Sequence, residues 1–243
     1  MAFGIKIKVW GDFASFNRPE MKVERVSYDV MTPSAARGIL EAIYWKPEMR
    51  WAVDRIHVLN PIRFTQVRRN EIDSTIPVKG TTGAEKAMKS GRGELGMAVE
   101  EHRQQRAGLI LRDVAYGIEA HVEVVTPPPA GSPVARAPEA KHLEMFKRRA
   151  SKGQFFHHPY LGTREFPAYF DLVEAFQASP AELAGERDLG LLLHDIMYRP
   201  DPDGPIIESH GGKRLSAAPR FFHAVLRSGI LDVPSLDGDG GAP

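Results

Sequence analysis

The order of the periodic segments is the feature that most constrains how this chain folds. Apolar residues alternate with polar ones from Phe3 to Val9, which predicts a strand, and they recur at helical spacing from Ala36 to Tyr44. The later patterns are strands over 49–58 and 109–125, a helix over 139–152 and a strand over 166–173. This strand–helix–strand–strand–helix–strand order is typical of a split βαβ, ferredoxin-like domain.

The composition changes after Gln177, and short strand patterns continue to the C-terminal end. We therefore expect an α+β protein with a ferredoxin-like domain over 1–178 and a small β-rich domain over 179–243. Residues 69–105 are polar and rich in glycine, which predicts a loop or hairpin insertion in the first domain. The proline-rich segment 126–138 is predicted to be a linker.

Several classes of protein and site are excluded by composition. The 243 residues include no cysteine, which excludes disulfides, thiolate metal sites and cysteine nucleophiles. No apolar run approaches the roughly 20 residues of a membrane span, and the N-terminus lacks the continuous apolar stretch of a signal peptide. These observations predict a cytoplasmic protein that does not bind a membrane.

The sequence also lacks the usual motifs for metals and nucleotides. HExxH is absent, and Asp201, Asp203 and Gly204 start like a calcium loop but the later ligands are missing. The segment GTTGAEKA (80–87) lacks the lysine and Ser/Thr pair of a phosphate-binding loop. We therefore predict no metal site and no cofactor.

Charge is unevenly distributed along the chain. The formal net charge is only +1, yet residues 135–164 hold seven basic and two acidic residues. This segment is compatible with a phosphate-binding face, but charge alone favours a solvated helix surface.

Three side chains near the two predicted helices suit metal-free chemistry on a phosphodiester. Lys141 and His142 lie near the start of the second helix, and Tyr44 lies at the end of the first. A histidine exchanges protons near neutral pH, and a lysine stabilises negative charge that develops at phosphorus. The alternative is structural: His142 is then a core histidine, and Tyr44 and Trp45 are core residues that close the first helix.

Longer segments resemble one known family. EAIYWKPEMRWAVDRIHVLNPIRF (41–64), RQQRAGLILRDVAYGIEAHV (103–122), YLGTREF (160–166) and FFHAVLRSGILDVP (221–234) are similar to CRISPR-associated RAMP-superfamily endoribonucleases of the subtype I-C (Dvulg-type) system. The resemblance extends from about residue 3 to residue 234. It implies a RAMP (RRM-like) fold and antiviral defence as the wider setting.

The resemblance implies an activity and the residues that carry it. The enzyme would cleave CRISPR repeat RNA near the base of its hairpin by attack of the 2′-hydroxyl, without a metal ion. It would then stay bound as a subunit of the type I-C surveillance complex. Tyr44, Lys141 and His142 would be catalytic. The candidate RNA-binding residues are Lys147, Arg148, Arg149, Arg164, Arg103 and Arg106.

One alternative within the same family stays open. The chain would be a non-catalytic RNA-binding subunit that caps the 5′ handle of the guide RNA, with another protein cutting the precursor. Keeping all of Tyr44, Lys141 and His142 favours the enzyme, since a capping subunit does not need them. DNA binding is left open by the resemblance.

Overall fold

A computed structural model describes residues 4–21, 24–74, 78, 83–92, 98–126, 138–207 and 212–235. Most of the predicted linker 126–138 lies outside the described residues. The helices are α1 (Pro33–Ile43), α2 (Ala84–Ser90) and α3 (Pro138–Ala150). The strands are β1 (Gly4–Ala14), β2 (Arg25–Val26), β3 (Met49–Val58), β4 (Phe64–Ile72), β5 (Arg103–Val124), β6 (Tyr169–Leu172), β7 (Glu186–Pro200), β8 (Ile206–Ile207), β9 (Lys213–Arg227) and β10 (Ile230–Asp232).

The fold is mixed α/β and is built on one large sheet with the strand order β6-β1-β5-β3-β10-β9-β7. All neighbouring strands along this path are antiparallel. The strands near the C-terminal end continue the same sheet, because β10 pairs with β3 on one side and with β9 on the other. None of the described helices is long and apolar enough to cross a membrane.

The two longer helices pack on the sheet through apolar stripes that the sequence pattern predicts. In α1 the residues Ala36, Ile39, Leu40 and Ile43 are buried. The α1 helix begins at a proline because Thr32 caps it, accepting a hydrogen bond from the Ala35 amide at 3.3 Å. The α3 helix packs against β5 and β6, whereas α1 packs against β3 and β7.

Strand β5 is long enough to join two parts of the molecule. Its second half lies between β1 and β3 in the centre of the sheet, and its first half pairs with β4 in register from Phe64 opposite Leu111 to Ile72 opposite Arg103. The two halves meet near Asp113, which has a positive φ of 52°. The β4 strand and the first half of β5 are therefore the arms of a hairpin, and alternate residues of β4 are exposed.

A loop between α3 and β6 packs closely against β1 at Gly162, which has a φ of +86°. A Cβ atom there would lie 2.0 Å from the carbonyl oxygen of Ser15. We expect Gly162→Ala to lower the free energy of unfolding by more than ~2 kcal/mol, because the ~1–2 kcal/mol cost of the left-handed conformation adds to the clash. Denaturant unfolding measures this loss.

Gly153 provides the matched control for that substitution. It also has a positive φ, +62°, but an added Cβ atom would meet nothing within 4 Å. Gly153→Ala therefore carries only the conformational cost. Equal losses of stability in the two variants would contradict the role assigned to the contact between Gly162 and Ser15.

Candidate active site

Tyr44 lies where α1 ends, and its side chain is buried with 2% exposure. Its backbone is extended, with φ −157° and ψ 126°, so the chain leaves the helix at this residue. Its carbonyl oxygen accepts a hydrogen bond from Nε1 of Trp51 at 2.9 Å, which fixes the end of α1 against β3. The Tyr44 side chain is thus held on the sheet side of the helix.

His142 lies in the first half of α3, on the same face as Leu143 and Phe146, and it is 2% exposed. Its Nδ1 atom is 3.0 Å from the hydroxyl oxygen of Tyr44, a hydrogen bond between residues 98 positions apart in sequence. Its Nε2 atom hydrogen-bonds to none of the residues that the structure describes. Nε2 is therefore the ring nitrogen of His142 that no described residue occupies.

Burial sets the protonation of this pair. It raises the pKa of Tyr44, an effect that nearby Glu48 increases and that the Arg149 guanidinium opposes. Burial also lowers the pKa of His142; Glu48 opposes this and Lys141 reinforces it. At neutral pH the phenol is therefore protonated and the imidazole is neutral.

The lowered pKa of His142 predicts how folding stability depends on pH. The unfolded chain binds a proton at this histidine more readily than the folded chain does. The stability that the folded state gains from keeping His142 neutral is therefore fully present above the unfolded pKa of about 6.5. It is lost as the pH falls below that value. We measure the free energy of unfolding at several pH values and expect it to fall less steeply with decreasing pH in His142→Asn than in the wild type. An equally steep fall would contradict the lowered pKa of His142. His57→Asn is the comparison, since burial lowers the pKa of His57 as well.

Lys141 and His142 are neighbours in sequence but differ in environment. The Lys141 side chain is exposed on α3, whereas that of His142 is buried. Lys141 is nevertheless close enough to influence His142, because its charge contributes to the lowered pKa of that histidine. The structure therefore brings Tyr44 and His142 into contact and leaves Lys141 on the surface beside them.

The predicted RNA-binding residues fall into two groups. On α3, Lys147 and Arg148 are exposed, and Lys147 is 4.0 Å from Glu144. Arg149 differs from both because it is partly buried: it donates a hydrogen bond to the carbonyl oxygen of Ile43 at 3.2 Å, and its guanidinium is 5.5 Å from the centre of the Tyr44 ring. Arg149 therefore holds the end of α1.

The second group lies along the hairpin of β4 and β5 and the loop beside it. Arg103 and Arg106 are on β5, where Arg106 is opposite Arg69 of β4 and 3.8 Å from Glu71. Arg69 forms an ion pair with Glu165, the neighbour of the exposed Arg164. Arg106 therefore lies in the outer half of the hairpin, Arg164 directly precedes the residue that pairs with this half, and neither belongs to the surface of α3.

Trp45 is exposed, so the expectation that it closes the first helix as a core residue is wrong. Its side chain is 49% exposed, although it directly follows the buried Tyr44. Side chains of successive residues in extended backbone point to opposite sides, so burying Tyr44 turns Trp45 outward. The lysine–proline pair after it was the available signal, because it predicts that the helix stops here.

Acidic residues and histidines form no metal-binding arrangement in the described part of the chain. Within it, no three such side chains are placed so that they could hold a metal ion. The side chains that meet at the end of α1 are a phenol, an imidazole and a guanidinium. What they can supply is proton transfer and hydrogen bonding to an anionic group.

Comparison with known proteins points to one family. The family model for Cas5d, described as "CRISPR-associated protein (Cas_Cas5)", matches residues 4–234. A curated protein of Mannheimia succiniciproducens named "CRISPR pre-crRNA endoribonuclease Cas5d" is 48% identical over 238 residues, and the match covers 96% of both chains. A Thermus thermophilus protein of the same name is 44% identical over 235 residues, covering 95% of this chain and 91% of that protein.

Solved structures share the fold at lower sequence identity. A functionally uncharacterized protein from Streptococcus mutans has a TM-score of 0.61 and 20% identity, and the match covers 96% of this chain and 93% of that one. A CRISPR-associated protein has a TM-score of 0.60 and 22% identity over the same shares of the two chains. These two likenesses support the α/β fold with its large antiparallel sheet.

Proposed function

The chain belongs to the Cas5d family of CRISPR-associated proteins, and from this premise we propose that it is an endoribonuclease that cleaves precursor CRISPR RNA. Two relatives with this named activity are 48% and 44% identical to it over nearly the full chain. The observation that carries the proposal to particular residues is the hydrogen bond between Tyr44 and Nδ1 of His142.

In the proposed mechanism, His142 is the general base and the RNA supplies its own nucleophile. When Nδ1–H donates to the Tyr44 oxygen, Nε2 carries the lone pair that accepts the proton of the 2′-hydroxyl. The 2′-oxygen attacks phosphorus, the bond to the 5′-oxygen breaks, and the departing oxygen takes a proton from water, while the proton on Nε2 of His142 returns to the solvent. The lowered pKa of His142 favours this role over that of general acid, because the neutral imidazole is the form that accepts a proton.

Lys141 and Tyr44 have supporting roles in this mechanism. Lys141, exposed beside His142, stabilises the negative charge that develops on the phosphate oxygens. Tyr44 orients the imidazole, because its hydroxyl oxygen accepts the hydrogen bond from Nδ1–H of His142 at 3.0 Å in this tautomer. No step needs a metal ion or a cofactor, and the products are a 2′,3′-cyclic phosphate and a 5′-hydroxyl.

For the finer architecture we infer a ferredoxin-like domain over 1–178 and a small β-rich domain over 179–243. The strand order β6-β1-β5-β3, with α1 following β1 and α3 following β5, supports the first domain. The residues 69–105 are its insertion, which includes the outer ends of the two arms of the hairpin of β4 and β5. The long hairpin of β7 and β9 supports the second domain.

The proposed partners are the CRISPR repeat RNA, the mature guide RNA and the other subunits of a type I-C surveillance complex. An enzyme that keeps hold of its product becomes a subunit, so the two roles are compatible. The cytoplasm is the proposed location. DNA is a further candidate ligand, and it rests on the family resemblance alone.

A capping subunit without catalytic activity is the second candidate function. It would need the basic surface residues but not the buried hydrogen bond between Tyr44 and His142, which places a neutral imidazole beside a lysine. Analysis of the RNA ends separates the two candidates. The enzyme yields a 5′ product with a cyclic phosphate and a 3′ product that a kinase can phosphorylate without prior phosphatase treatment; unchanged RNA supports the capping subunit.

The dependence of RNA binding on salt tests the proposed phosphate contacts. We expect Lys147→Ala, Arg148→Ala and Arg164→Ala each to flatten the slope of log affinity against log salt by about 0.7–0.9, the contribution of one phosphate contact. Affinities are measured between low and moderate salt with RNA that cannot be cleaved. Lys213→Ala, at an exposed position on β9, is the matched control. Slopes equal to that of the wild type in all three variants would contradict the basic surface on α3 and the loop.

A further inference from the structure

Two large aromatic side chains are exposed at the C-terminal end of α1, beside the pair formed by Tyr44 and His142. Trp45 is 49% exposed and Phe156 is 83% exposed. Folded proteins usually bury much of such rings, so two of them around one helix end indicate a binding surface. We call this surface, Trp45 and Phe156, the aromatic rim.

The chain anchors Phe156 to the same helix end as Trp45. After α3 ends, the backbone returns to α1, and the amide of Phe156 donates to the carbonyl oxygen of Ala42 at 2.7 Å. Ala42 is in the last turn of α1, next to Ile43, whose carbonyl oxygen accepts from Arg149. Both ends of the aromatic rim are therefore tied to the segment that positions Tyr44.

The indole of Trp45 is available for stacking. Among the described residues it has no ring contact and no hydrogen bond. Within the described ranges Phe156 has one ring neighbour, His157, with centroids 6.1 Å apart in an edge arrangement that leaves ring surface exposed. Buried aromatic rings elsewhere differ: Trp51, for example, packs against Phe146 at 4.8 Å.

Charge around the aromatic rim favours a nucleic acid over an apolar protein segment. Lys46 is exposed directly after Trp45, and it lies close enough to His142 to affect the pKa of that histidine. Lys152 and Arg148 are exposed on the last part of α3 and just beyond it, before Phe156. Rings interleaved with cations are the usual means of binding single-stranded RNA, in which bases stack and phosphates pair with lysine or arginine.

We propose that Trp45 and Phe156 stack on unpaired bases of the RNA next to the phosphodiester that is cleaved, and so hold that phosphodiester at His142. The inference rests on the proposed function, since it names the part of the RNA that this site binds. The residues act as positioning residues: they contact bases, whereas the reacting atoms meet His142 and Lys141. Stacking is tolerant of base identity, so the aromatic rim selects for unpaired nucleotides.

The test combines protein variants with RNA that lacks single bases. The probe is the repeat RNA with a 2′-deoxynucleotide at the cleavage position, made also with an abasic nucleotide at each position flanking it. We expect Trp45→Ala and Phe156→Ala each to weaken binding of the full probe about 5- to 100-fold, the loss of one stacked base. For each variant there should be one abasic RNA, the one that lacks the base stacked on the substituted ring, that binds the wild type and the variant with equal affinity.

Two further variants separate stacking from a structural effect. Trp45→Phe keeps a ring and should recover most of the affinity. If Trp45→Ala or Phe156→Ala bound every abasic RNA more weakly than the wild type does, the proposal would be overturned. Tyr169→Ala is the matched control: this ring is 54% exposed, but it stacks on Trp10 on the face of the sheet opposite Ile7 and Val9. It should show no base-dependent change.

The remaining outcomes keep the two proposals distinct. Cleavage by the wild type with unchanged RNA binding in Trp45→Ala and Phe156→Ala would overturn the aromatic rim and leave the endoribonuclease intact. Unchanged RNA binding together with lost association to other complex subunits would overturn it in favour of a protein interface. Binding without cleavage by the wild type would overturn the proposed enzyme, and the abasic series would still test the stacking by affinity alone.

Discussion

Replacing His142 by alanine should reduce the rate of RNA cleavage by about 10²–10⁴-fold while the RNA stays bound. That range is the usual contribution of a positioned general base. His142 meets the requirement because Nδ1 is held by the Tyr44 hydroxyl at 3.0 Å and its lowered pKa keeps it neutral. Single-turnover cleavage measures the rate, and binding of RNA with a 2′-deoxynucleotide at the cleavage position measures the affinity.

Burial of His142 requires a control for folding. Alanine leaves a cavity on the buried face of α3 and removes the partner of the Tyr44 hydroxyl, so some stability is lost as well. His142→Asn keeps a polar side chain of intermediate size and should be as inactive. His57→Ala removes a histidine that hydrogen-bonds Glu119 at 3.0 Å on the other face of the sheet, and it should cleave normally. Cleavage by His142→Asn at the wild-type rate would contradict the general base.

Replacing Lys141 by alanine should slow cleavage by about 10²–10³-fold, with a smaller effect on affinity. This is the usual loss when one group that stabilises transition-state charge is removed. Lys141 is exposed, so its removal leaves no cavity and the fold is unaffected. The negative charge it opposes is greatest in the transition state, so the rate should fall more than the affinity. Lys141→Arg keeps the charge and should retain part of the rate.

The matched control for Lys141 is Lys152, another exposed lysine, just beyond the C-terminal end of α3. Lys152→Ala removes the same charge beside the aromatic rim, so it should weaken RNA binding but leave the single-turnover rate of bound RNA unchanged, since Lys152 is not among the lysines that act on His142. If it slows cleavage as much as Lys141→Ala, the effect is one of general positive charge. A loss confined to affinity in Lys141→Ala would place Lys141 among the phosphate-binding residues and leave the transition state without its proposed cation.

The spacing of apolar residues predicted those helices and strands that bury one face and expose the other. The strand predicted over 49–58 is β3, and the apolar spacing after Thr32 is α1. The first part of β5 was left open between a loop and a hairpin, because residues 103–108 are polar and largely exposed and so show no apolar alternation. Their pairing with β4 comes from backbone hydrogen bonds, which every residue except proline can donate.

The candidate site shows a different limit of the sequence. The family resemblance named Tyr44 and His142, but only the fold brings these residues together across 98 positions. The exposure of Trp45 was missed although two signals indicated it: helical spacing places it on the side opposite the buried stripe of α1, and the extended backbone at Tyr44 also turns it outward. Arg149 was predicted to bind phosphate, and its hydrogen bond to the Ile43 carbonyl oxygen depends on how α1 meets α3.

Cleavage of the cognate repeat RNA in EDTA tests the central claim most directly. Wild-type protein is incubated with all-ribose RNA and with RNA carrying one 2′-deoxynucleotide at the cleavage position, and binding of both is measured. A metal-independent enzyme that uses the 2′-hydroxyl binds both RNAs equally and cleaves only the first. Cleavage of the deoxy-substituted RNA, or tight binding of both without cleavage, would contradict the mechanism built on Tyr44, Lys141 and His142.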